Sequence, residues 1–280
     1  GPFGPVEVEP LCGSDTVYLA GPTVNTFFCC PLSNTQSIAN ASPHAHRFSK
    51  AAQHYDVHAR VQKQSADHLW TWLQQRLTLH NLHGFEPKAS IDVGCGTGFL
   101  TAKLLAQYPQ VPCHAVDLAP GMLHHVQTSL NPHGDHLLHT HQLDGEHLAL
   151  EDLWLSSQSL LVSNMCAQWF GDPLEAVRRW LSLSNVVCLS LQLDDSFEAW
   201  KQAHIEAGLP CGLRPLPHLQ AVQAWPQQLM AEGLCQVAEV HSKQWLEHYA
   251  NGLAFARTLK AIGADSPAAT HTPVPLRRVL

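Results

Sequence analysis

Charge is scarce in this 280-residue chain: Asp, Glu, Lys and Arg together make up 14% of it. Basic residues are the scarcer kind, 16 against 23 acidic ones, for a net charge of −7 with histidine neutral. A nucleic-acid partner asks for a stripe of Lys and Arg that can replace counterions along the phosphates, and none is visible. No apolar run has the length of about 20 residues that a membrane-crossing helix needs, so no membrane partner is expected. The nine cysteines are odd in number and scattered. Cys29 and Cys30 are adjacent, and no second pair stands at zinc-ligand spacing. Reduced thiols in a cytoplasmic protein are therefore the expectation. The chain also lacks, at its start, the basic stretch and continuous apolar core of a secretory signal.

Histidine, by contrast, is plentiful at 20. His133, His136, His139 and His141 crowd one short stretch, but no cysteine or carboxylate set completes a ligand group there, and no metal is expected. Apolar residues reach 45%, enough to build the core of one α/β domain with additions. Residues 1–43 stand apart. They are punctuated by Gly, Pro, Ser, Thr and Asn, and read as a leader of unknown role, loosely ordered, with at most one stray strand. The folded domain is expected over residues 44–265, followed by a Pro-, Ala- and Thr-rich tail, 266–280.

From Arg47 the pattern turns helical: Ala66, Leu69, Trp70, Leu73 and Leu77 recur at helix spacing, and Ala51, Ala52, Tyr55 and Ala59 suggest an earlier helix. Residues 89–193 then alternate short apolar runs with helical stretches. Strands are predicted near 89–93, 112–116, 137–142, 159–163 and 185–192. Such alternation implies a mainly parallel sheet with helices on both faces, whose ligands sit beyond the carboxyl ends of the strands. A further strand is expected at Cys235–Trp245, and a helix at Leu253–Ile262 stopped by Gly263.

The most informative stretch is Ile91-Asp92-Val93-Gly94-Cys95-Gly96-Thr97-Gly98. A strand ends in a glycine-rich turn that opens a helix. Glycines let a backbone approach a ligand closely, and a helix start offers unpaired N–H groups. After the second strand comes Asp117, followed by Leu118-Ala119-Pro120-Gly121-Met122-Leu123. An acid at that position suits a ribose diol. After the third strand come Asp144 and Gly145. Together these motifs resemble class I S-adenosylmethionine-dependent methyltransferases. The resemblance implies a Rossmann-like fold with a helical N-terminal lid. It further implies that Asp92, Gly94, Cys95, Gly96 and Gly98 hold the methionine part of S-adenosyl-L-methionine. Asp117, with Leu118 and Met122, would hold the ribose side, and Asp144 and Gly145 the adenine. Asn164, at the end of strand four, completes the cofactor set.

Three flanking stretches are similar to malonyl-acyl-carrier-protein O-methyltransferases of biotin synthesis. They are Arg47–Asp56 with Val61–Ala66, then Ser163-Asn164-Met165-Cys166-Ala167-Gln168-Trp169, then Arg257-Thr258-Leu259-Lys260-Ala261-Ile262-Gly263-Ala264. That resemblance implies methyl-esterification of the free carboxylate of a malonyl thioester, carried by acyl carrier protein or coenzyme A. A related enzyme acting on a small acid of the trans-aconitate type is the alternative. Arg257 would clamp the carboxylate, since guanidinium matches it bidentately. Lys260 would assist or meet the carrier, Tyr55 would shape the acceptor pocket, and Gln168 and Trp169 would line it. Arg178, Arg179, Lys201 and Arg214 are available for an acidic carrier. Two departures from the family stand out. Gln158-Ser159 replaces the usual Asp at the start of strand four. Nothing after Asp265 reads as the family's last strand, so that strand is missing or the leader takes its place.

Overall fold

The computed structural model describes residues 17–31 (the course of the backbone only), 47–49, 52, 59–82, 84–149, 153 and 159–261. In chain order the elements are β1 (Val17–Pro31), α1 (Arg60–Leu79), β2 (Ala89–Val93), α2 (Phe99–Gln107), β3 (Cys113–Asp117), α3 (Pro120–Leu130), β4 (Leu138–Gln142), β5 (Ser159–Asn164), α4 (Pro173–Leu183), β6 (Val186–Gln192), α5 (Glu198–Glu206), α6 (Leu219–Ala231), β7 (Cys235–Tyr249) and α7 (Gly252–Ala261).

The seven strands form one sheet in the order β4-β3-β2-β5-β6-β1-β7. The first five are parallel, and β2, β5 and β6 are buried along almost their whole length, as parallel strands covered on both faces must be. Alternate residues feed two cores. Ile91, Val93, Leu161, Val187 and Leu189 face one side, where they meet Trp180 of α4 and Trp225 of α6. Cys113, Ala115, Leu160, Val162 and Cys188 face the other, against Leu69 and Leu73 of α1 and Leu100 and Leu104 of α2. Helix α1 presents Val61, Ser65, Leu69, Trp72 and Leu73 on one stripe, the spacing that buries one face of a helix. Helix α4 starts where a sequence reading would start it: the Asp172 carboxylate accepts the Glu175 N–H at 3.0 Å, and Pro173 takes the first turn. The start of β5 is anchored by polar contacts of Ser159. The Ser159 hydroxyl donates to the Leu183 carbonyl at 2.7 Å, and its N–H to the Asn185 side chain at 3.0 Å.

The five parallel strands fall within one or two residues of their predicted limits. Within the leader, residues 17–31 form one strand, which lies one place in from the edge of the sheet. That strand, β1, lies between β6 and β7 and is antiparallel to both, running from Val24 opposite Gln192 to Cys29 opposite Val187. Among the described residues, the strand between β6 and β7 therefore comes from the leader. Pro22 falls inside the register shift between Ala20 and Thr23, the kind of place where a strand tolerates a residue without an N–H.

Pairing of β1 with β7 continues past the end of β6, from Val24 opposite Lys243 to Val17 opposite Tyr249. A two-stranded ribbon thus extends beyond the carboxyl edge of the parallel strands by on the order of 20 Å. Glu247 on this ribbon accepts a charged hydrogen bond from Arg60 Nε, at the start of α1, at 2.7 Å. The ribbon leads into α7. Phe255 of α7, 3% exposed, packs among Phe197, Trp200 and Tyr249, so α7 stands above the carboxyl end of β6.

Phe27→Pro tests the placement of β1. The backbone there pairs with Leu189 on one side and Val240 on the other. Proline deletes a ladder N–H between two strands and leaves its acceptor unpaired, which should destabilise the domain by about 1–3 kcal/mol. Urea unfolding checks it; a change under 1 kcal/mol would remove β1 from the interior of the sheet.

Candidate active site

Three carboxylates stand at the carboxyl ends of three neighbouring parallel strands. Asp92, at the end of β2, is 1% exposed, and Thr101 Oγ1 donates to its Oδ2 at 2.6 Å. Burial pushes its carboxyl up to about 7, against the opposing pull of that hydrogen bond. Asp117, at the end of β3, receives two backbone N–H groups: Gly96 on Oδ2 at 2.9 Å and Ala119 on Oδ1 at 2.8 Å. Burial raises its pKa, while these N–H groups favour the ionised form. Asp144 follows β4. Its Oδ1 accepts the Glu146 N–H at 3.0 Å, and its Oδ2 lies 2.9 Å from His147 Nδ1.

The glycine turn fits between these acids. Gly94 (φ +69°) lies so close to Cys166 that a Cβ there would stand 2.3 Å from the sulfur. Gly96 (φ +54°) faces open space: a Cβ would meet nothing within 4 Å. A buried carboxylate whose charge is opposed by its surroundings, beside an open glycine backbone and the start of α2, fits a cationic ligand such as the ammonium and sulfonium of S-adenosylmethionine. Cys95 is buried and Cys166 half-buried, both near Asp92 and Asp117. Burial first, and these charges second, push both thiols well above their ordinary value, so they pack as neutral groups.

The other predicted cofactor residues divide by what they touch. The Leu118 carbonyl accepts from Gln142 Nε2 at 3.3 Å. Met122 is buried behind Ala119, against Ala52 and Phe48. A Cβ on Gly145 would stand 2.4 Å from Val93 Cγ1, and its carbonyl accepts the indole N–H of fully buried Trp180 at 2.8 Å; glycine lets this turn lie flat on β2. Asn164 uses its amide to join elements, donating to the Gln62 carbonyl at 3.0 Å and accepting from Ser190 Oγ at 2.7 Å.

Two residues quoted for the family motif but not chosen for the site prove to cover it. Ser49 Oγ accepts the Gly121 N–H at 3.2 Å, at the start of α3. Phe48 packs over Ala119 and Met122 and meets the Trp169 ring edge-on, 5.7 Å between centroids. The signal was present in the Phe-Ser-Lys-Ala-Ala run, but nothing in one sequence says which side of a lid helix faces inward. Tyr55 lies outside the described residues.

Among the predicted acceptor residues, Gln168 is 4% exposed, in a short 3-10 turn, Ala167–Trp169, after β5. Arg257 and Lys260 are both exposed on α7, above the carboxyl end of β6. The basic residues considered for a carrier are engaged within the chain. Arg178 pairs with Glu232 at 2.8 Å, and Arg179 donates to the Glu146 carbonyl at 3.0 Å. Lys201 bonds the Asp194 carbonyl, and Arg214 donates to the Trp169 carbonyl at 3.1 Å. His139 and His141 stack on either side of His114, at 5.2 and 5.1 Å, and burial lowers His114 to about 4. Asp144, Glu146 and His147 lie close enough to share a metal ion. The Glu146 carboxylate, though, already accepts the N–H groups of Gly171 and Asp172 at 3.0 and 2.8 Å.

Comparison with known proteins agrees with this geometry. Residues 91–185 match the family described as a methyltransferase domain. A malonyl-[acyl-carrier protein] O-methyltransferase of Halalkalibacterium halodurans is 30% identical over 224 residues, 78% of this chain and 80% of that protein. Its counterpart in Magnetococcus marinus is 30% identical over 238 residues, 82% of this chain and 81% of that protein. The biotin biosynthesis bifunctional protein BioCD of Bordetella avium is 33% identical over 233 residues, and this chain spans 45% of that longer protein.

Two outcomes are expected at the site. A Cβ on Gly121 would stand 2.6 Å from the Ser49 carbonyl oxygen. Gly121→Ala should therefore displace the covering segment and weaken S-adenosylhomocysteine binding about tenfold, with the melting temperature little changed; unchanged affinity in a calorimetric titration would refute the covering role. Asp92 binds its proton more tightly folded than unfolded, so the cofactor-free chain loses stability as pH rises from about 4 to about 7. Asp92→Asn should flatten that dependence and raise the melting temperature at pH 8 while removing cofactor binding. Equal melting curves for both forms at pH 5 and pH 8 would contradict it.

Proposed function

Because this chain belongs to the malonyl-[acyl-carrier protein] O-methyltransferase family, we propose that it methylates the free carboxylate of a malonyl thioester at the start of biotin synthesis. It is an S-adenosyl-L-methionine-dependent methyltransferase. The observation that carries this reading is the set of three carboxylates, Asp92, Asp117 and Asp144, at successive strand ends around an open glycine turn.

S-adenosylmethionine, when bound, supplies an electrophilic methyl group on a sulfonium. The residues of the chain do the rest by positioning. Asp92 would meet its positive charge, the Asp117 oxygens would accept the ribose hydroxyls, and the turn at Asp144 and Gly145 would meet the adenine. Phe48 and Ser49 close over α3 and exclude water. The malonyl carboxylate is ionised at neutral pH and is itself the nucleophile, so no general base is required. The transfer would balance without a proton: a carboxylate oxygen would take the methyl carbon as the carbon–sulfur bond left its electrons on sulfur, to give a methyl ester and S-adenosylhomocysteine. The ester hides a charge, so enzymes that lengthen apolar acyl chains accept it.

Helix α7 carries the acceptor clamp. Arg257 holds the malonyl carboxylate in line with the methyl group, and Lys260, one turn on, faces the carrier. Support comes from the ribbon of β1 and β7, which sets α7 above the strand ends, and from the similarity of Arg257–Ala264 to the family motif. Alignment of this kind is the main source of rate when the nucleophile is already charged.

The experiment is mass spectrometry of malonyl-acyl carrier protein and malonyl-CoA after incubation with S-adenosylmethionine. Wild type should add one methyl group, and Arg257→Ala should lower kcat/KM by about tenfold to a hundredfold, the cost of a charged hydrogen bond. Methylation of trans-aconitate alone would overturn the malonyl assignment. Methylation undiminished in Arg257→Ala would move the clamp elsewhere.

A further inference from the structure

A left-handed backbone favours glycine, yet three other residues adopt one among the described residues: Asn81, Met165 and Phe197. Asparagine tolerates the conformation. Phe197 gains a packed ring, 5.5 Å from that of Phe255. Met165, at φ +49°, has neither reason. Its side chain is half-buried and joins neither of the two cores nor the small cluster around Met122. The backbone around it is nonetheless tied down. The Met165 N–H donates to the Ser190 carbonyl at 2.9 Å and to Ser190 Oγ at 3.2 Å, and its carbonyl accepts from Gln168 Nε2 at 2.9 Å. Ser190 Oγ donates in turn to Asn164 Oδ1 at 2.7 Å, and Asn164 Nδ2 to the Gln62 carbonyl at 3.0 Å. Strain of this kind persists only where the surroundings enforce it, and it gathers at functional sites.

Met165 directly follows Asn164, the last residue of β5, beside the place between β2 and β5 where the strand order reverses. Ligands of an open α/β sheet sit in the crevice at that place. The next residue carries the turn into the cofactor site. A Cβ on Gly94 would stand 2.3 Å from the Cys166 sulfur, and the charges of Asp117, Asp92 and Asp144 all reach that thiol. Beyond it, the turn Ala167–Trp169 leads to the ring contact between Trp169 and Phe48, the residue that covers α3. The strained turn therefore stands where the three acids, the strand crevice and the covering segment meet.

We propose that the Met165 side chain is a wall of the acceptor pocket, packing against the short carbon chain of the acid that is methylated and limiting its length. This role rests on the reading of the chain as a methyltransferase of malonyl thioesters. A thioether is apolar, unbranched and polarisable, which suits a methylene group, and it offers no donor that would draw the carboxylate away from its clamp. The left-handed backbone then has a cause. Glycine would relieve the strain but remove the wall, so a side chain is kept at a position whose conformation disfavours one. Ser190 and Asn164 act through Met165: they are positioning residues that hold the turn. Met165 itself is a specificity residue, distinct from the carboxylate clamp and from the cofactor residues.

The chain holds three methionines, so carbon-13 labelling of their methyl groups gives three NMR signals, and Met165→Leu identifies the one of interest. With S-adenosylhomocysteine saturating, titrated malonyl-CoA should move the Met165 signal and leave that of Met230, exposed on α6, in place. Met165→Gly should keep or raise the melting temperature and leave S-adenosylhomocysteine affinity unchanged. It should lower kcat/KM for malonyl-CoA about tenfold and raise succinyl-CoA relative to malonyl-CoA by a similar factor, the usual worth of one methylene in a pocket. Met165→Leu, which rebuilds an apolar wall, should restore most of the loss. A Met165 signal moved by trans-aconitate but not by malonyl-CoA, in a chain that methylates trans-aconitate, would keep the wall and sink the malonyl assignment. A signal unmoved by either acid, or a chain-length preference unchanged in Met165→Gly, would overturn the role of Met165 and leave methylation itself intact.

Discussion

The site depends on one carboxylate that is held by backbone. Asp117 receives N–H groups from Gly96, in the turn after β2, and from Ala119, in the turn after β3. It therefore locks two loops together, beside the backbone bonds that Gly94 and Cys95 donate to the Val116 carbonyl. Both contacts to Asp117 are made by groups that a helix start or a turn would otherwise leave unpaired. The glycine turn then has a fixed shape, its open side presented outward at Gly96, and the start of α3 is brought where Ser49 can accept from Gly121. Each Asp117 oxygen retains acceptor capacity, since a carboxylate oxygen offers more than one lone pair. The side chain that preorganises the loop thus keeps room to accept hydroxyl groups as well.

A second dependency runs through the sheet. Strand β6 would be an open edge without β1, and β7 would have no partner at all. By pairing with both, β1 extends the sheet and carries β7 past the strand ends. That overhang is what puts α7 and the Glu247–Arg60 ion pair on the same side as the three acids. Loss of β1 would therefore displace α7 as well as cost stability.

The sequence was most legible where local chemistry decides structure. Buried parallel strands announce themselves as short apolar runs, and β2, β3, β4, β5 and β6 were placed nearly to the residue. Glycines and acids at strand ends were legible for the same reason, because the turn and the ligand both constrain them. The strand in residues 17–31 was legible only as one of two alternatives, the leader standing in for a last strand: its pairing is wholly non-local, and Pro22 within it reads as a strand breaker until the register shift that accommodates it is seen. The inward sides of Phe48 and Ser49 were equally hidden, since they are fixed by contacts with Gly121 and Trp169 far along the chain. Asn164 was found by position, but its amide joins α1 to β6, a use that only the packed structure displays.

The most direct measurement is a calorimetric titration of S-adenosylhomocysteine into the intact chain and into Asp117→Ala, with Asp135→Ala, in an exposed loop, as the control. The account predicts one site per chain in wild type and in the control, and loss of measurable binding in Asp117→Ala with the far-ultraviolet spectrum unchanged. Undiminished binding in Asp117→Ala would contradict the claim that this carboxylate organises the cofactor site.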